Sequence, residues 1–86
     1  MLAIQSTSVP PPSVSGATAT FSAVADGSNV RYRWNFGDGS APTAWSASGT
    51  ATRTYAAPGI YYVTVDVTDD TGATGSATVM HQVYLA

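Results

Sequence analysis

From Ala17 onward the chain alternates, with Ala17, Ala19, Phe21 and Ala23 on one face and Thr18, Thr20 and Ser22 on the other. A period of two marks a half-buried strand. After "DGSN" at 26–29, a turn signal, Tyr32, Trp34 and Phe36 alternate with Arg31, Arg33 and Asn35, so the aromatics face inward and the arginines face water. Gly37 and Gly39 end that strand, and the small residues of "SAPTAWSASG" lead to a short strand at 50–55. "AAPG" then turns the chain. Tyr61, Val63, Val65 and Val67 make the clearest inward face, opposed by Tyr62, Thr64, Asp66 and Thr68, and this strand is predicted to be central. "TDDTG" supplies a hairpin turn, and a last strand at 77–85 puts Val79, His81, Val83 and Leu85 on one side.

The segment 8–15, within "SVPPPSVSG", holds three consecutive prolines, which lack backbone donors and favour an extended chain. It reads as a linker, or as the join between a short edge strand at 2–6 and the rest, since proline is tolerated at sheet edges. Lys and Glu are absent while Thr, Val and Tyr recur, a composition that suits a pleated surface and starves a helix. The pattern therefore predicts an all-β domain occupying 1–86, with its core at about 16–85. About seven short strands with regularly spaced turn signals fit an immunoglobulin-like antiparallel β-sandwich. In that arrangement Trp34 takes the place of the buried third-strand Trp. Tyr61 becomes the corner tyrosine whose hydroxyl bonds back to the main chain.

Only 9% of the residues are charged, well below the roughly 25% usual in globular domains, so hydroxyl groups must supply the surface polarity. The net charge of -2 and the pI of about 4.7 offer nothing to a phosphate backbone or an anionic membrane, so no nucleic acid and no membrane insertion is expected. Cysteine is absent, which excludes disulfides, thiolate metal sites and a thiol nucleophile. No apolar run is long enough to span a bilayer, and "MLAIQSTS" lacks the features of a signal peptide. The ends read as those of a fragment of a longer protein.

Two spaced motifs carry a resemblance. "WNFGDGS" at 34–40, followed by "TYAAPGIYYVTVDVTDDTG" at 54–72, resembles the polycystic-kidney-disease (PKD) domain family. Trp34, Phe36, Gly37, Asp38, Gly39 and Ser40 match its first run, Tyr55 its second, and Gly59, Tyr61, Val63, Val67, Asp69 and Gly72 its third. Asn35 stands where that family usually has Asp, and Arg53 where it often has His. The resemblance implies an immunoglobulin-like sandwich and a non-catalytic module of extracellular or cell-surface proteins. It acts there as a spacer or adhesion unit beside other domains of the parent chain. In some microbial enzymes such modules are linked to insoluble polysaccharide or collagen.

Trp34 and Phe36 share the inward phase of Tyr32 and read as core. Gly37 and Gly39 lack the full pattern of a phosphate loop and read as a strand-ending turn with positive φ, within which Asp38 accepts bonds from turn amides. Asp26, Asp38, Asp66, Asp69 and Asp70 are the only carboxylates. Asp69 and Asp70 form the best calcium pair, against the preferred reading of a solvated turn. Trp45 lies outside both the alternation and the family signature. It either stacks on a sugar ring or a partner's pocket, or folds onto the sandwich. Tyr62 and Tyr84 point outward and join it as ligand-binding candidates. Arg31, Arg33 and Arg53 are expected as a small basic stripe on one sheet, with cross-strand pairing to Asp66. His81 has no Cys, Lys or Glu beside which to work, and no constellation supplies nucleophile, base and oxyanion donors. The chain is expected to be no enzyme and to hold no cofactor, calcium being the one competitor.

Overall fold

The computed structural model describes residues 4–8, 12–25 and 27–85. Leu2, Pro10, Pro11 and Asp26 lie outside them. Six strands of five residues or more and one two-residue segment follow in order: β1 (Ile4–Ser8), β2 (Ser13–Val14), β3 (Thr18–Ala25), β4 (Arg31–Asn35), β5 (Thr50–Thr54), β6 (Gly59–Thr68) and β7 (Thr74–Tyr84). They form a three-stranded sheet ordered β1-β3-β5 and a four-stranded sheet ordered β2-β7-β6-β4. The first segment thus serves both sheets: β1 pairs antiparallel with β3, and the chain then crosses so that β2 pairs parallel with β7. This is the expected all-β, immunoglobulin-like sandwich, and β6 is central, paired with β7 along its whole length and with β4 from Thr64 to Thr68.

The inward faces follow the alternation. Ala19, Phe21 and Ala23 of β3, Tyr32 and Trp34 of β4, Phe36 just beyond it, Val63, Val65 and Val67 of β6, and Val83 of β7 form one buried cluster. Phe21 lies at its centre, with ring centroids 6.1 Å from Trp34, 6.0 Å from Phe36 and 5.3 Å from His81. His81, 1% exposed, is the one buried polar side chain among the described residues. Its Nε2 lies 2.9 Å from the Ser13 hydroxyl, which ties β2 to β7 by side chain as well as backbone.

Two expectations need correction. Leu85 does not continue the inward face of β7; the strand ends at Tyr84 and Leu85 is 76% exposed, because the alternation has no residue that marks where pairing stops. The three arginines do not share a sheet. Arg31 and Arg33 sit on β4 of the four-stranded sheet and Arg53 on β5 of the other, since the chain changes sheets between those strands.

Candidate functional site

The signature turn is a strand end closed from within. Asn35 Oδ1 accepts from the Gly37 amide at 3.0 Å, a bond that Asp or Asn provides equally, which accounts for Asn at this position. Gly37 and Gly39 both have positive φ, 72° and 85°. Asp38 Oδ1 accepts from the Ser40 amide at 3.1 Å and the Ser40 hydroxyl at 2.5 Å, while Oδ2 accepts from Arg53 Nε at 2.7 Å. Arg53 therefore reaches across from β5 and holds the turn. Burial pushes the Asp38 carboxyl upward, but the Ser40 and Arg53 bonds together outweigh it and hold the group below its ordinary value.

Two tyrosines anchor the same end. The Tyr61 hydroxyl donates to the Ala57 carbonyl at 2.6 Å, the corner bond expected of it. Tyr55 is stacked on Tyr61 with ring centroids 4.1 Å apart, and its buried hydroxyl donates to the Phe36 carbonyl at 2.8 Å. Burial first, and then the Asp38 charge, push that hydroxyl up to about 12. Tyr55→Phe leaves a buried carbonyl without its donor and is expected to cost about 1–2 kcal/mol in urea unfolding, whereas water replaces the exposed Tyr61 bond and Tyr61→Phe costs less.

Trp45 lies in a groove on the outer side of the four-stranded sheet. Residues 43–46 run along the edge of β4: Tyr32 and Ser46 exchange backbone bonds at 2.7 and 2.9 Å, and the Thr43 amide and hydroxyl bond the Trp34 carbonyl and amide at 2.8 and 3.0 Å. That alignment sets the Trp45 ring 4.6 Å from the Arg33 guanidinium carbon, a cation–π contact. Arg33 in turn donates to Asp66 directly across the strand pair at 3.1 Å, the pairing expected from sequence. Trp45, Arg33, Asp66, Gly72, Gly75 and Ser76 contribute to the walls of an open groove of about 710 Å³. Trp45 is thus folded against the sheet yet 39% exposed.

Tyr62 and Tyr84 lie on the same outer face, 62% and 48% exposed, beside the exposed Ile60 and Met80. Tyr62 stands opposite Met80 in the β6–β7 ladder. The Thr64–Thr78 pair, bonded at 2.9 Å, separates that apolar end from the Arg33–Asp66 end. The structure therefore gathers Trp45 and the two tyrosines onto one face without bringing them into contact.

The aspartate turn divides its two carboxylates. Asp69 Oδ1 accepts from the Thr71 amide, the Thr71 hydroxyl and the Ala73 amide at 2.9, 2.7 and 3.1 Å. These bonds, that of the Thr71 hydroxyl foremost, hold its carboxyl below the ordinary value. Asp70 Oδ2 instead accepts from Asn29 Nδ2 at 2.8 Å and the Ser28 hydroxyl at 3.2 Å, tying the two turns at this end together. Among the described residues no three His, Cys, Asp or Glu side chains converge.

The family model for the PKD domain matches residues 2–82. No curated protein matches. Among solved structures, one described by the promiscuous specificity of carbohydrate-binding modules from the β-sandwich superfamily is 34% identical with a TM-score of 0.80. The match covers 99% of this chain and 34% of that one, so the present chain spans about a third of its length. The PKD domain of an M14-like peptidase from Thermoplasmatales archaeon SCGC AB-540-F20 is 22% identical with a TM-score of 0.77, covering 92% of this chain and 91% of that chain, and shares the fold. The PKD1 domain of the Vibrio cholerae metalloprotease PrtV is 27% identical with a TM-score of 0.72, covering 96% of both chains.

Proposed function

This chain belongs to the PKD domain family, and we propose that it serves as a non-catalytic spacer and interaction module within a larger extracellular or cell-surface protein. One observation carries this reading: every described carboxylate accepts hydrogen bonds from the chain's own donors. Asp38 holds the signature turn, Asp66 pairs with Arg33, and Asp69 and Asp70 close and join turns. A hydrolytic site needs an acid, base or nucleophile held free for substrate. The body measures 44 × 22 × 16 Å, an elongated shape suited to spacing neighbours apart. The partners on this reading are the other domains of the parent chain. The test is an assay of the purified chain on peptide and polysaccharide substrates; hydrolysis would overturn it.

A second reading, an accessory module for insoluble polysaccharide or collagen, rests on the Trp45 groove. A half-exposed indole beside an arginine–aspartate pair offers a sugar ring both a stacking face and hydroxyl partners. The similarity to a structure concerned with carbohydrate-binding modules supports the polysaccharide arm. On this reading the chain is retained on chitin, cellulose or collagen, and Trp45→Ala lowers retention about tenfold, the loss of one aromatic anchor. No retention of the wild type sinks it and leaves the spacer reading standing.

Neither reading assigns calcium a role, because Asp69 and Asp70 serve separate hydrogen-bond sets. Millimolar calcium is accordingly expected to leave the melting temperature unchanged, since a cation bound only by the native state must raise it.

A further inference from the structure

The edges of the two sheets are not treated alike. In an antiparallel pair, main-chain groups alternate between facing the partner and facing away. On β4 the away-facing groups of Tyr32 and Trp34 are capped by residues 43–46. On the other sheet, the Ala23 amide donates to the Gly49 carbonyl at 2.8 Å, and the register pairs Phe21 with Ala51 and Ala19 with Arg53. The odd residues of β5 therefore bond β3, and Thr50, Thr52 and Thr54 turn their amides and carbonyls to the free side. Thr50 is met there by the Ser48 hydroxyl, at 3.3 Å from its amide and 3.5 Å from its carbonyl. Among the described residues Thr52 and Thr54 have no such cap, and no strand lies beyond β5.

An open edge of this kind is normally guarded by a lysine, a proline, a bulge or brevity. Of the other outer strands in the two sheets, β1 carries a register irregularity between Ile4 and Ser6, and β2 is two residues long. β5 has neither device. Its one charge, Arg53, is held by Asp38, and its other residues are threonine and alanine, "TATRT".

That sequence is self-complementary. We infer that β5 is an association edge whose partner is β5 of a second copy of this chain, paired antiparallel about a two-fold axis through Thr52. In this register Thr52 faces Thr52, each donating its amide to the other's carbonyl, and Thr50 faces Thr54. All three outward pairs are then Thr–Thr, which hydrogen-bond well across strands. On the inner side Arg53 meets Ala51, so no like charges oppose each other. The two three-stranded sheets become one six-stranded sheet, and two parent chains are joined side by side. A five-residue edge buries little surface, so the association is weak and reversible for the isolated unit and strengthens where copies are held close together.

The 86-residue chain is the unit to test, since the archaeal and Vibrio domains that it resembles were solved as single units of nearly this extent. Sedimentation of the wild type from micromolar to millimolar concentration is expected to show a monomer–dimer equilibrium. The chain has no cysteine, so single cysteines report the register. Across the two-fold axis the Thr52 Cα atoms lie about 5.5 Å apart, within disulfide range, so Thr52→Cys forms a disulfide dimer under mild oxidation. The two Thr50 residues lie about 13 Å apart along the strands, and Thr50→Cys does not. Thr52→Pro removes an amide that β3 does not use, at an edge where proline is tolerated, and weakens association about tenfold. A wild type that stays monomeric at millimolar concentration overturns the inference. So does equal cross-linking by Thr50→Cys and Thr52→Cys, or a folded Thr52→Pro that associates like the wild type. The cysteine comparison decides the matter even where Thr52→Pro fails to fold.

Discussion

Gly37→Ala is expected to remove about 3–5 kcal/mol of stability, enough to leave much of the chain unfolded at ambient temperature. Two effects add. At a φ of +72° any side chain loses roughly 1–2 kcal/mol to the left-handed conformation. The greater loss is steric: a Cβ at Gly37 would lie 2.2 Å from the Tyr62 carbonyl oxygen and 3.0 Å from the Tyr62 carbonyl carbon and amide nitrogen. Those are backbone atoms of the central strand, which is paired at Tyr62 with Met80 of β7 and held by β4 from Thr64 onward, so the strand does not yield without breaking a ladder. Gly39 is the control, because its φ is +85° and nothing lies within 4 Å of a Cβ built there. Gly39→Ala should therefore cost only the conformational penalty, about 1 kcal/mol. Chemical unfolding of the two variants side by side separates the effects. Equal losses would show that backbone conformation alone requires glycine at Gly37.

From sequence both glycines read alike as a strand-ending turn, and only the approach of β6 distinguishes them. What alternation encodes was legible: Phe21, Trp34, Val65 and His81 face inward because a strand with one buried face must repeat every second residue. What depends on contact between distant segments was not. Arg53 looked like a member of a surface stripe with Arg31 and Arg33, and its bond to Asp38, fifteen residues back, carries no period. The seating of Trp45 on Arg33 depends on Thr43 and Ser46 bonding the edge of β4, in a stretch of small residues that shows no alternation. The division of labour between Asp69 and Asp70 likewise needs the turn at Ser28 and Asn29, which the fold alone brings near. Polar partners are set by topology, and topology lies beyond the reach of a local pattern.

Asp38→Asn is expected to cost about 2–3 kcal/mol at neutral pH, because both sides of this carboxylate accept from donors and an amide has only one accepting oxygen. Whichever way the amide is turned, its NH₂ group faces either the Ser40 amide and hydroxyl or the Arg53 guanidinium. The Asp38 side chain is 13% exposed, so water compensates poorly for the lost partner. The pH dependence distinguishes this account from a simple packing loss. A carboxyl whose folded value lies below its ordinary 3.8 contributes its full stability above that pH and loses it as the pH falls through the folded value. The difference in unfolding free energy between wild type and Asp38→Asn should therefore stay constant from pH 8 to about 5 and close below about 4. Asp69, also held below its ordinary value, titrates in both proteins and cancels from the difference. Arg53→Gln should reproduce part of the loss and, combined with Asp38→Asn, add little to it, since the two side chains act as one contact. A difference that persists unchanged to pH 2 would mean that the turn is held by the shape of Asp38 and not by its charge. Arg53 would then stabilise β5 by the packing of its stem.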